Sequence, residues 1–188
     1  MKLLKWSAKN AAVILRVLDA TQVLGETMSL MPASDMLRAD HRQIEVWIDR
    51  LLEVAKHPTP DLISDVRRIF AEIQLLTAPH FAKEESIFYP RLRPTLPGLL
   101  TQLDEQHAYI REVEDNLREL LAAVGGGPSD RGLSELARFS IELFDTIQHH
   151  IVDEEDQLLR AADSQLSPEE QNQLAEAMRA AEMHTDQG

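Results

Sequence analysis

The chain of 188 residues contains no cysteine. Disulfides, iron–sulfur clusters, thiolate zinc sites and cysteine nucleophiles are therefore excluded. The absence does not decide the compartment, because a reducing cytosol and a disulfide-free secreted protein both permit it. Aromatic residues make up only 5%, and there are 7 glycines and 9 prolines. With Ala, Leu, Glu and Arg plentiful, that balance favours helix over sheet. Positive charge is also short: 19 Lys and Arg face 32 Asp and Glu, for a formal charge of −13. Such a chain lacks the basic face that nucleic acid needs, and no nucleic-acid partner is expected. Long hydrophobic runs are missing too. The apolar stretch near Ala11–Leu18 follows Lys2, Lys5 and Lys9 but is interrupted by Arg16 and Asp19. It reads as neither signal peptide nor membrane span, and a cytoplasmic protein is expected. At 44% hydrophobic residues the chain can bury one good core,.

Residues 1–31 form a candidate accessory helix with Leu3, Leu4, Trp6, Val13, Ile14, Val17, Leu18 and Leu24 as its apolar positions. It would pack on the rest of the chain or on a second copy in a homodimer; its thin Lys/Arg face suits a membrane surface less well. Met31-Pro32-Ala33-Ser34 breaks the chain, and Ser34 can cap a helix running to about Lys56. In the turn His57-Pro58-Thr59-Pro60, Thr59 is the expected cap and Pro60 the first helical position. The second helix should end at Pro90, with Pro79 costing a backbone hydrogen bond and bending it just before His80. A third helix is expected from about Pro97 to Val124. Gly125-Gly126-Gly127-Pro128 is the clearest loop, and a fourth helix covers about Gly132 to Ala162. Ser167-Pro168-Glu169-Glu170 carries a cap, a proline and a glutamate at the right offsets to open a short fifth helix within residues 167–183. The fold expected is all-α: an up-down-up-down four-helix bundle over residues 34–162, flanked by an N-terminal and a short C-terminal helix.

Two segments repeat. His80-Phe81-Ala82-Lys83-Glu84-Glu85 falls late in the second helix and His150-Ile151-Val152-Asp153-Glu154-Glu155 late in the fourth, both reading H-x-x-x-E-E. Residues four apart share a helix face, offset by about 40° and about 6 Å along the axis, so imidazole and carboxylate can reach one metal or two adjacent ones. His41 lies early in the first helix and His107 early in the third, 39 and 43 residues before their partners. In an up-down bundle early and late positions of successive helices are level, which brings all four to one layer, about 9–18 Å from one end.

Each histidine lies on an apolar stripe: His41 with Leu37, Ile44 and Ile48; His80 with Ile73, Leu76, Ile87 and Phe88; His107 with Leu100, Leu103 and Ile110; His150 with Leu143, Ile147 and Leu158. A lone histidine on such a face is usually a core residue with one hydrogen bond, and an H-x-x-x-E pair is often a surface pair. Four at one level, with two carboxylates at matched spacing, are hard to satisfy without a metal. His149 also precedes a carboxylate, Asp153, but its stripe of Glu142, Asp145, Thr146, Asp156 and Gln157 is solvated, so His150 is preferred. His57, at a helix end, is a weak additional candidate, and His184 is expected to be exposed. Imidazole with carboxylate suits iron, manganese or zinc.

The segments Asp40-His41, His80 to Glu85 with Tyr89-Pro90, Glu105-Gln106-His107 and His150 to Glu155 resemble the hemerythrin-like (HHE) family over about Ser34 to Ala162. The resemblance implies a non-haem centre of two iron ions, oxo- or hydroxo-bridged. It also implies His41, His80, His107 and His150 as terminal ligands, with Glu84 and Glu154 bridging. Oxygen-carrying members have a further histidine four residues after the third-helix ligand; here Arg111 stands there and cannot ligate. More positions are then left for water, O2, NO or peroxide, which weakens simple O2 carriage and favours sensing or peroxide chemistry. Glu45 stands four residues after His41 as Arg111 does after His107. The expectation is an inward ion pair between Glu45 and Arg111, or Glu45 entering the metal shell; the alternative is that both bend to solvent.

Three functions compete: binding of O2, NO or peroxide for sensing, storage or detoxification; a di-iron enzyme that decomposes peroxide or reduces O2 or NO; and an iron-responsive interaction protein. Ile44, Ile48, Phe88, Ile110 and Ile147 would line a dry pocket in the first two. No catalytic base stands out, and Tyr109 lies off the ligand stripe. The family's iron-repair members carry a cysteine-containing segment that this chain lacks.

Overall fold

Apolar residues three and four apart recur along each long segment, and each buries that stripe. A computed structural model describes residues 31–57, 61–124 and 129–185, except for the side chains of 184 and 185. The helix expected over residues 1–31 (all but Met31), the Thr59 cap, Pro60 and the Gly125–Pro128 loop lie outside the described residues.

Helix α1 spans Ala33–Ala55 and buries Leu37, His41, Ile44, Ile48 and Leu51. Its start corrects the expected cap. Pro32, not Ser34, precedes the first turn, and its carbonyl accepts from the Asp35 and Met36 amides. Ser34 is buried inside the helix, where its hydroxyl donates to Asp163 (2.7 Å) and its amide to Gln171 (3.2 Å). Acceptors from two later helices thus claim a side chain that local sequence assigns to capping.

Helix α2 has an α-helical part, Leu62–Lys83, that runs through Pro79. It continues as a π-helical segment, Glu84–Phe88, and a last α-turn, Tyr89–Leu92. The expected stop at Pro90 does not occur. The π segment shifts the hydrogen-bond register, so Pro90 falls at the start of the following α-turn, where a missing N–H costs little. Helix α3 spans Pro97–Ala123. Helix α4 starts at Asp130, two residues before the expected Gly132, because the Ser129 hydroxyl accepts from the Gly132 amide,. It runs as Asp130–Asp153, a π segment Glu154–Leu159 and an α-helical end Arg160–Gln165. Helix α5, Pro168–Thr185, opens on a reciprocal cap. The Glu170 amide donates to the Ser167 hydroxyl and the Ser167 amide to the Glu170 carboxylate,.

Both π segments begin at the glutamate that ends H-x-x-x-E. The wider turn changes which residues face inward, and neighbours bury together: Phe88 with Tyr89, and Leu158 with Leu159, all at 0% exposure,.

The described residues form a bundle of helices. Helix α1 packs along α2 and α4, α3 along α4, and α5 against α1 and the π segment of α2. The core is divided. One apolar cluster holds Ile44, Ile48, Ile73, Ile110, Val113 and Ile147. The other holds Leu37, Phe88, Leu103, Leu158, Ala175 and Met178, and α5 closes it. Burying such a Leu, Ile or Phe stabilises by about 1.5–3 kcal/mol each. The seam between the two clusters is where the histidines fall.

Candidate metal centre

His41, His80, His107, His150, Glu84 and Glu154 are all buried, with 1% exposure or less. One comes from α1, two from α2, one from α3 and two from α4. Each follows an apolar residue of one cluster and precedes one of the other, so a single polar layer crosses the core. The ligand-capable atoms of His41, His80, Glu84 and Glu154 lie within 4.8 Å of one another, as do those of Glu84, His107 and His150. Glu84 belongs to both groups.

The imidazoles meet in pairs through their Nε2 atoms, 3.1 Å apart for His41 and His80 and 3.0 Å for His107 and His150. Two donors about 2.1 Å from one ion, at a right angle, stand about 3.0 Å apart. Glu84 spans the pairs, with Oε1 at 2.9 Å from His80 Nε2 and Oε2 at 3.2 Å from His107 Nε2. Glu154 turns Oε2 toward His41 (3.1 Å) and His150 (3.5 Å). Its Oε1 accepts from the Tyr89 hydroxyl at 2.6 Å.

Each ring presents Nε2 because its Nδ1 is held from behind. His41 Nδ1 faces Glu155 (3.1 Å), His80 faces Asp40 (3.3 Å), His107 faces Glu85 (2.8 Å) and His150 faces the Gln106 amide oxygen (3.0 Å). An acceptor on Nδ1 fixes the tautomer whose Nε2 lone pair is free. His107 is clamped further, between Phe81 (centroids 4.0 Å apart) and Tyr89 (5.6 Å). Sequence reasoning did not assign these anchors, although the signal was there. The second glutamate of each H-x-x-x-E-E holds a histidine of the other repeat. The residue before each early histidine, Asp40 or Gln106, holds the late histidine of its own repeat.

Residues 33–162 match the model of the hemerythrin HHE cation binding domain. The chain belongs to this family. No curated protein and no solved structure matches it. Family membership carries cation binding, and the buried His/Glu cluster of this hemerythrin-like chain is compatible with it. No helix among the described residues is long and apolar enough to cross a membrane.

The residues fit a pair of cations on chemical grounds. Both Glu84 oxygens are fully buried and neither has a hydrogen-bond partner, despite the imidazoles beside them. The Nε2 and carboxylate lone pairs converge on each other, which is costly without a positive centre between them. Burial, and then the charge of Glu154, raises Glu84 well above the usual carboxylate range. Glu154 is held well below it, because His150 and His41 outweigh burial. Burial pushes His150 down to about 3. Burial opposes charging His41 as well, but hydrogen bonds to Glu154 and Glu155 hold it above its ordinary value. The metal-free layer therefore retains protons that bound cations would displace.

The expected Glu45–Arg111 ion pair is not formed. Arg111 is 47% exposed and bonds Glu85 at 2.6 Å, with its guanidinium 5.4 Å from the Phe81 ring centre. Glu45 is half-buried, accepts from Gln148 at 3.4 Å and stays outside the clustered ligand atoms. A guanidinium stripped of water so near the layer would be expensive, and Glu85 offers it a charged partner at the rim. His149 is 72% exposed beside Asp153, and His57 is exposed. The side chain of His184 lies outside the described residues.

Lys83 links the layer to α5. Its buried ammonium bonds Asp40 at 2.5 Å and Glu182 at 2.7 Å. Burial alone would lower its pKa, but Asp40 and then Glu182 outweigh it and hold the amine charged. Replacing Lys83 with methionine is expected to cost about 2 kcal/mol. That is less than the 3–5 kcal/mol for breaking a fully buried pair, because Asp40 and Glu182 keep access to water. A melt should fall by about 4–8 °C, and limited proteolysis should cut sooner near Arg179.

Proposed function

We propose that this chain is a non-haem di-iron protein that binds O2, NO or peroxide, for sensing, storage or detoxification. In this reading the four long helices run alternately up and down. His41 and His80 hold one iron, His107 and His150 the other, and Glu84 and Glu154 bridge them. The observation that carries it is the Glu84 carboxylate, buried with no hydrogen-bond partner and shared by both histidine pairs. Manganese or zinc would satisfy the same donors, and the assay below separates them. A cytoplasmic location and a homodimer through the N-terminal helix belong to the same proposal.

Bound iron would supply Lewis acidity and redox change next to a small ligand. The protein's own part is orientation, dryness and one proton. Glu155, Asp40, Glu85 and Gln106 keep the four rings aimed. Ile44, Ile48, Phe88, Ile110 and Ile147, each at most 1% exposed, exclude water. Tyr89 keeps a proton on its hydroxyl, because burial and the charges of Glu84 and Glu154 raise its pKa far above the ordinary value. The Tyr89 hydroxyl, its oxygen 2.6 Å from Glu154 Oε1, is a fixed hydrogen-bond donor beside the layer, and a donor there favours peroxide decomposition as a second reading,.

Metal analysis of protein loaded anaerobically with Fe(II), Mn(II) or Zn(II) tests the proposal. Two irons per chain, with a near-ultraviolet band that changes reversibly on O2 or NO addition, is the expected result. Rapid O2 evolution from added peroxide would select the second reading. A large melting shift with neither response would point to an iron-responsive interaction protein. Fewer than two metals per chain would end the di-iron reading.

A further inference from the structure

The two halves of the layer repeat position by position, and the repeat is broken in one place. Asp40 precedes His41 as Gln106 precedes His107, and each accepts from the late histidine of its own half. Lys83 precedes Glu84 as Asp153 precedes Glu154, and each bonds that same residue: Lys83 Nζ to Asp40, and Gln106 Nε2 to Asp153 at 2.7 Å. One half therefore backs its late histidine with a carboxylate tied to an ammonium. The other uses an amide tied to a carboxylate.

The early histidines differ in the same direction. Glu155, behind His41, forms no ion pair to Lys or Arg among the described residues and feels Arg38 and Arg42 only from further off, whereas Glu85, behind His107, is paired directly with Arg111 at 2.6 Å. Behind His41 and His80 stand Glu155, screened in part by Arg38 and Arg42, and the Asp40–Lys83–Glu182 triad with one net negative charge. Behind His107 and His150 stand a neutral Glu85–Arg111 pair and Gln106, with the Asp153 charge one residue further out.

A carboxylate accepting from Nδ1–H makes the imidazole a stronger electron donor than an amide does, and such partners change metal affinity by about 10–100-fold. The nearby charges act in the same sense, because net negative charge favours a divalent cation. We infer that the two metal positions are inequivalent: the His41/His80 position binds a divalent cation first and more tightly, and the Asp40-for-Gln106 difference sets the order. The inference rests on the proposed two-metal centre. It makes Asp40 and Gln106 positioning residues that act through the histidines. It also gives this chain a stable one-metal form in which the His107/His150 position stays open to exchange.

Anaerobic titration of the metal-free full chain with Co(II) tests this, followed by visible absorption and by the ring 15N–1H signals of the histidines. Two phases are expected, separated by at least about 10-fold in affinity, with the His41 and His80 signals shifting in the first. Asp40→Asn gives His80 the kind of acceptor His150 already has. It should weaken the first phase by about 10–100-fold and merge the two. Should that variant fold poorly, the double variant Gln106→Glu with Asp153→Lys copies the Asp40–Lys83 pair into the other half and should tighten the second phase toward the first. Simultaneous filling, first filling at His107/His150, or an Asp40→Asn variant that melts lower while keeping its loading order would each overturn the inference and leave the two-metal reading intact. No Co(II) uptake would overturn both.

Discussion

Replacing Glu84 with glutamine is expected to weaken binding of both ions by more than about 100-fold, since loss of an outer-shell partner alone costs 10–100-fold. The same change should leave the metal-free protein as stable at pH 7, or more stable by about 1 kcal/mol. The two effects have one cause. Glu84 is the carboxylate common to both groups of ligand atoms, and the one with neither oxygen hydrogen-bonded. Its burial, next to Glu154, already drives it toward the neutral form. Glutamine keeps the shape and the neutrality but cannot bridge two cations. A residue that lowers metal-free stability where it stands, yet is needed for binding, marks a functional site rather than a core contact. Glu154 behaves differently, because hydrogen bonds from Tyr89 and His41 hold its two oxygens; its replacement by glutamine would disturb the metal-free fold as well. Competition titration against a chelator and a thermal melt read the two effects. Near-native affinity in the glutamine variant, or a melt lowered by 10 °C or more, would count against a bridging role for Glu84.

The contrast between these glutamates also shows what a sequence can and cannot disclose. The layer was legible because its residues obey helical spacing: His41, His80, His107 and His150 each occupy an apolar stripe, and the structure buries all four. What surrounds the layer was not legible. Asp40, Glu85, Gln106 and Glu155 sit at the border of those stripes, where a polar side chain reads equally well as solvated; only the neighbouring helix shows that each meets an imidazole. The π segments at Glu84 and Glu154 were invisible for a different reason. No local propensity separates them from α-helix, and the one clue, Pro90 lying inside a helix that continues past it, reads alone as a stop. Arg111 failed through reach. Its length lets it choose between an inward partner on α1 and a rim partner on α2, and solvation decides for Glu85,.

Removing the bound metals is expected to lower the melting temperature by about 10 °C. A ligand present at about 1,000 times its dissociation constant stabilises the folded state by about 4 kcal/mol. For a chain of this size each kcal/mol moves the melt by about 2–4 °C. The shift should depend on pH in a definite sense. Glu84 has a raised value in the metal-free fold, so its contribution is fully present below about pH 4.5 and is lost as pH rises through that raised value,. Glu154 is lowered, so its contribution is present above about pH 4.5 and lost only on stronger acidification,. Between pH 5 and pH 8 (a flat region for Glu154) the metal-free protein therefore loses stability through Glu84 as pH rises. The loaded protein does not, because the cations have already displaced that proton. The melting difference between loaded and stripped samples should thus widen with pH, and calorimetric titration in buffers of different ionisation enthalpy should report at least one proton released as the pair of ions binds. A difference that narrows with pH, or binding without proton release, would mean that Glu84 does not surrender its proton to a metal.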